Sequence, residues 1–165
     1  MSQRPSQSEK LSIREFKSDD LPAIKALVNQ TIDICYVGVY PREAVQFFKD
    51  WHSNDRILAD AEEGYTVVLE QDGQVIGTGT VVGNEIKRVF VGPVFQKRGL
   101  GRLIMQMLED HAVSAAIGVV KLDASLPSKK FYDSLGYVML EETFLEVENN
   151  KRLDYYRMEK RLTDK

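Results

Sequence analysis

The densest cluster of residues able to do chemistry lies at positions 96–102, Gln-Lys-Arg-Gly-Leu-Gly-Arg. Lys97, Arg98 and Arg102 surround Gly99 and Gly101 at the start of an amphipathic run. Glycine lets a ligand come close to the backbone, and the first N–H groups of a helix have no partner inside it. With the positive end of the helix dipole, these donors make a site for an anion, phosphate above all. Two familiar phosphate loops are excluded. No Gly-x-x-x-x-Gly-Lys-Ser/Thr string occurs, and Gly99-Leu100-Gly101 lacks the third glycine of the dinucleotide fingerprint. Read alone, the two glycines suit close packing at a helix start equally well.

The elements that must position this loop follow from pattern. An alternating segment at 11–16 reads as a strand. Ser18-Asp19-Asp20 caps a helix carrying Leu21, Ile24, Leu27 and Val28, and Pro41 opens a second with Ala44, Val45, Phe47, Phe48 and Trp51. Strands at 64–70, 75–82 and 85–92 are joined by Asp72-Gly73 and Gly83-Asn84 as a meander. A helix over 99–116, a strand over 119–124 and a helix over 127–135 closed by Gly136 come next. A hairpin of 137–147 and 153–160 turning at Asn149-Asn150 closes the chain. A tight turn cannot join the strands on either side of the 99–116 helix, so they form a parallel β–α–β unit. The expected fold is α/β in the α+β sense: a mixed, mostly antiparallel sheet of about seven strands flanked by about four helices on both faces.

Composition narrows the class. The chain has 165 residues, 43% apolar and 28% charged, enough for one core and a hydrated surface. We read residues 1–9 as a disordered lead and 10–162 as one domain. Cys35 is the only cysteine, and His52 and His111 lack ligand spacing, so neither a disulfide nor a metal site is expected. The net charge of −3 argues against nucleic acid as a partner. No apolar run approaches a membrane span and the first residues form no signal peptide, so a cytoplasmic protein without a membrane partner is expected.

Gln96-Lys97-Arg98-Gly99-Leu100-Gly101 resembles the Gln/Arg-x-x-Gly-x-Gly/Ala motif of the GNAT superfamily, the acyl-CoA-dependent N-acyltransferases. A second segment, from Ala124-Ser125-Leu126-Pro127-Ser128 through Phe131-Tyr132 to Gly136-Tyr137, is similar to the family's Asn-x-x-Ala-x-x-Phe-Tyr-x-x-x-Gly-Phe/Tyr stretch. Ser125 and Ser128 depart from its Asn and Ala. The resemblance implies acetyl-CoA as co-substrate, its pyrophosphate on the backbone of residues 96–102. The pantetheine arm would lie along the strand at Val89 and Val91, and Ser125 and Ser128 would line its channel. It also implies Tyr132 as the acid that protonates the departing thiolate. Glu85 at the strand start, or an ordered water, would be the base. Tyr36 and Tyr40 before Pro41, with the closing hairpin, would bracket the acceptor, a small-molecule or peptide amine. The amine would attack directly in a ternary complex. A homodimer could pair across the closing hairpin, as members of the family often do. The competing reading is a non-catalytic acyl-CoA-binding sensor or assembly subunit.

Overall fold

A computed structural model describes residues 10–162; the lead expected at 1–9 lies outside the described residues. The chain runs β1 (Leu11–Glu15), α1 (Leu21–Cys35), α2 (Arg42–Trp51), α3 (Asn54–Glu63), β2 (Tyr65–Gln71), β3 (Gln74–Val82), β4 (Glu85–Val91), α4 (Leu100–Ser114), β5 (Val119–Ser125), α5 (Lys129–Ser134), β6 (Val138–Val147) and β7 (Lys151–Arg161). The seven strands form one sheet in the order β1-β2-β3-β4-β5-β7-β6. Every pairing is antiparallel except β4 with β5, the parallel unit expected around α4. Apolar clusters lie on both faces. Ile104, Leu108 and Tyr132 pack with Val67, Leu69 and Leu122 on one, while Ile24, Ala44 and Ile57 pack with Val68 and Phe90 on the other.

Among the described residues the fold has five α-helices rather than about four; the additional one, α3, is a short, mostly polar helix. Ile57 is its one buried residue, and the Ser53 hydroxyl caps it by accepting from the Arg56 amide at 3.3 Å. At the start of α1, Arg14 grips Asp20 at 2.8 and 2.9 Å and Glu70 at 3.2 Å, tying β1 and β2 to the helix. That grip holds the Asp20 carboxyl below the usual carboxylate range. Asp72 and Gly73 both take positive φ, 53° and 83°, as the tight β2–β3 turn requires.

The feature that positions everything else is in β4. It pairs with β5 only at Glu85↔Lys121 and Ile86↔Leu122, and beyond Ile86 the two strands part. On its other edge, Thr80 faces Lys87 and Thr78 faces Phe90, which leaves Arg88 and Val89 together opposite Gly79. This is a β-bulge, with Arg88 at φ 58° in the left-handed region. The extra residue reverses the facing of the strand. Ile86 belongs to the α4-side cluster and Phe90 to the α1-side cluster.

Arg88 is held by what its side chain reaches. It is 2% exposed, donates from Nη2 to Asp60 of α3 at 3.0 Å, and from Nε to His52 Nδ1 at 3.0 Å. His52, edge-on to Phe90, is held neutral: burial, reinforced by the Arg88 charge, pushes the imidazole down to about 3.

Two measurements check this packing. Between pH 6.5 and 3 the unfolded chain binds a proton on His52 that the folded chain refuses, so stability falls as pH drops through that window. By urea denaturation, we expect His52→Gln to lose about 2 kcal/mol less than the parent between pH 7.5 and 5. Identical losses would refute the buried neutral imidazole. The second concerns Gly101, where a Cβ would lie 2.9 Å from Phe131 Cζ. Gly101→Ala should cost about 1–3 kcal/mol, and Phe131→Leu in the same chain should recover much of it.

Candidate active site

The parting of β4 and β5 leaves residues 87–91 without a strand partner on that edge, so backbone groups there face a gap. The loop leading to α4 closes one end. Gln96 donates from Nε2 to the Val91 carbonyl at 2.8 Å and lies 3.7 Å from Cys35 Sγ, pinning the loop to the end of β4. Lys97 at φ 65° and Gly99 at φ 82° are both left-handed, which turns the chain sharply into the helix. Gly99 is the N-cap and offers no side-chain cap, so the first amides of α4 have no partner from the cap residue.

The two glycines do different things. Around Gly99 a Cβ would meet nothing within 4 Å, so glycine is there for its φ and leaves open space over the amides. Gly101 is there for packing, because the ring of Phe131 occupies the place of its Cβ. Lys97, Arg98 and Arg102 are exposed around the turn, and Leu100 packs inward against the α4-side cluster. Exposed cations and open helix-start amides suit a pyrophosphate. Phe131 couples this loop to α5, and the next residue, Tyr132, faces the other side of the gap.

Tyr132 lines a cavity of about 280 Å³ between β4, α2 and the closing hairpin. It is almost fully buried and touches the ring of Tyr137 edge-on, at 5.7 Å between centroids. Burial raises the phenol above its ordinary value of 10, with Tyr36 adding to the effect, so it stays protonated at neutral pH. Ser125 and Ser128 also line the cavity, their hydroxyls 2.7 Å apart. Tyr36 stands on the same wall and its phenol is raised by burial.

Glu85 lies at the mouth, half-exposed, 3.7 Å from Lys87 Nζ. Val89 sits in the bulge and Val91 at the end of β4, both half-buried against the α4-side cluster. Tyr40 departs from expectation. Its hydroxyl donates to the Asp154 carbonyl at 2.7 Å and accepts from the Leu126 amide at 2.9 Å, and the residue is not part of the cavity wall. It fastens β7 to the turn before α5, so the expected bracket of two tyrosines keeps only Tyr36.

Sequence reasoning passed over several groups that the fold brings in. Asp123 lines the cavity across from Glu85; burial raises its carboxyl, opposed by Arg157 and reinforced by Glu85. Alternation along β5 sends Leu122 and Ala124 to the α4 side and hence Asp123 and Ser125 to the other, a signal present in the sequence. Phe47, Phe48 and Trp51 of α2 and Leu145, Leu153 and Tyr155 of the hairpin complete the wall.

Comparison with known proteins accords with this geometry. Residues 36–162 match the family model for the acetyltransferase (GNAT) domain. The uncharacterized protein YyaT of Bacillus subtilis is 27% identical over 89 residues, which are 52% of this chain and 60% of that protein. In structure, the chain is similar to a GCN5-related N-acetyltransferase from Rhodopseudomonas palustris, with a TM-score of 0.84, 20% identity and coverage of 92% and 95% of the two chains. It is also similar to the PaiA N-acetyltransferase from Thermoplasma acidophilum in complex with coenzyme A, with a TM-score of 0.73, 16% identity and coverage of 93% and 99%. At these identities the likeness speaks for the fold. The family match runs from the end of α1 through the last described residue and takes in both parted strands and both helices that flank the gap; the chain belongs to the GNAT family of acetyltransferases.

Proposed function

We propose that the protein is an acetyl-CoA-dependent N-acetyltransferase that acts on an amine by direct attack in a ternary complex. The observation that carries this reading is the gap between β4 and β5. It ends at one side in the open, basic helix start of α4 and at the other in a cavity holding a protonated phenol and two carboxylates.

Acetyl-CoA supplies the acyl group as a thioester, and the residues present suit it. The amides after Gly99, with Lys97, Arg98 and Arg102, hold the pyrophosphate. Gln96 holds the loop against β4, and Gly101 lets α5 close on it. The unpaired edge of β4 at Val89 and Val91 takes the arm in the manner of an added strand, with Ser125 and Ser128 along its side. A backbone amide near Val89 faces the carbonyl oxygen on which charge develops. Such donors act strongly because the bulge fixes them before the reaction begins.

An amine with a pKa near 10 is mostly protonated at pH 7, so a base must free its lone pair. Glu85 and Asp123 stand where the strands part. Burial has raised Asp123 toward the range where a carboxylate accepts a proton more readily. The amine nitrogen forms a bond to the acyl carbon, the carbon–sulfur bond breaks, and the electron pair leaves with sulfur. The proton lost by nitrogen goes to the carboxylate. The thiolate receives a proton from Tyr132, whose buried phenol is held in the form that can donate it.

Calorimetry tests the donor half. Acetyl-CoA should bind at micromolar Kd, and Gly99→Glu, which puts a carboxylate over the helix start, should weaken it at least a hundredfold. No binding by the parent protein would overturn the reading. Thiol release with a turned-over amine tests the chemistry. Tyr132→Phe should lower kcat about 10²-fold or more with the KM for acetyl-CoA little changed. For the base, Glu85→Gln and Asp123→Asn are compared by pH profile. The residue that takes the proton should, when replaced, shift the rising limb of kcat/KM to higher pH; a profile unmoved in both variants would leave the task to water.

A further inference from the structure

The acceptor end of the cavity has a chemistry of its own. Resting on the acetyltransferase reading, we propose that the acceptor is a small primary amine on an apolar body of aromatic size, an arylalkyl or branched alkyl monoamine, rather than a polyamine or an amino acid.

Size comes first. The cavity of about 280 Å³ is shared between the thioester end along Val89, Ser125 and Ser128 and the acceptor between α2 and the hairpin, so the acceptor is a small molecule. The walls come next. Phe47, Phe48 and Trp51 of α2 face Leu145 and Tyr155 of the hairpin, with Phe90 on the floor. These rings are set in advance of any ligand. Phe48 lies edge-on to Tyr36 at 4.8 Å, and Phe47 stacks on Trp51 at 5.8 Å between centroids. Trp51 is 44% exposed, with the Arg56 guanidinium 3.9 Å over its ring, and Leu145 is 39% exposed, so apolar surface remains at the rim. An apolar ligand would cover it.

The charges select against the alternatives. Arg88 is occupied by Asp60 and His52, and its Nη1, unpartnered among the described residues, is sealed from solvent and so does not reach a ligand. Lys87 divides itself between Asp60 and Glu85, 3.7 Å from each. Among the described residues of the wall, a substrate carboxylate would therefore meet Lys87 only where Asp60 and Glu85 already flank it, and Arg88 is committed within the fold. One ammonium has Glu85 and Asp123 to receive it where the strands part. The second ammonium of a polyamine would lie against aromatic and aliphatic wall, stripped of water with no partner.

Trp51 is the sole tryptophan of the sequence, so its emission reports the cavity directly. The CoA-loaded protein is titrated with 2-phenylethylamine, isopentylamine, putrescine, spermidine and phenylalanine, and initial rates of thiol release from acetyl-CoA are measured with each. The two apolar monoamines should perturb the Trp51 emission and show kcat/KM at least tenfold above the other three. Leu145→Ala should raise the KM for 2-phenylethylamine about tenfold and leave the KM for acetyl-CoA unchanged; Trp51→Ala should do the same in the rate assay. Equal or better turnover of putrescine, spermidine or phenylalanine overturns the proposal. So does acetyl-CoA binding without an emission change or turnover with either apolar amine. Failure to bind acetyl-CoA instead overturns the acetyltransferase reading on which it rests.

Discussion

Parallel neighbours in a sheet normally stay paired along their length, because each backbone group left open inside a protein must find a partner elsewhere. β4 and β5 pair at two positions and then part. The site depends on this parting. It leaves residues 87–91 of β4 without a strand neighbour on that edge, beside a gap with the helix start of α4 at one end and α5 at the other. A ligand that lies along β4 would complete the sheet.

The bulge at Arg88 is the means by which one strand serves two cores. Without the extra residue, Phe90 would face the same way as Ile86 and the α1-side cluster would lose it. A left-handed arginine is an expensive way to build a bulge, on the order of 1 kcal/mol or more. The side chain explains how it persists. Buried between Asp60 and His52, Arg88 cannot relax to an ordinary conformation without giving up both partners. The pair is also a tether: α3, the C-terminal end of α2 and β4 meet there, and the cavity wall is built from the last two of these.

The loop and the phenol are joined more closely than their separation in sequence suggests. The ring of Phe131 packs on Gly101 with no room for a side chain between them, so the start of α4 and the short helix α5 are in direct contact. Tyr132 follows directly and is thereby placed relative to the glycine turn at 96–102. Further back, Tyr137 donates to Glu109 at 2.8 Å and Lys160 reaches the same carboxylate at 2.9 Å, which ties α4 to the start of the closing hairpin. Tyr40 performs the matching task on the other face, between β7 and the turn before α5. A tyrosine with both hydrogen-bonding capacities of its hydroxyl spent within the fold is part of the scaffold.

Strand alternation, turn glycines and the helical spacing after Gly99 made seven strands, the meander and the parallel unit legible, since each is a local pattern with a local cause. The loop at 96–102 and the Phe131-Tyr132 pair were legible as motifs. α3 was passed over because its ten residues are mostly polar and follow α2 after only two residues. The bulge was hidden because no glycine marks it; an arginine gives no sign in sequence that it will be left-handed. Asp123 stood on the correct face of β5 by alternation alone, yet a carboxylate on a strand face is ordinary until the neighbouring strand leaves. Tyr36 and Tyr40 looked equivalent, four residues apart on one aromatic segment, and only their partners across the chain separate them. Local chemistry wrote the elements and the glycine turn before α4 into the sequence. Which side chains share the cavity was decided by where β4 parts from β5, a balance of long-range packing on both faces of the sheet that no single segment carries.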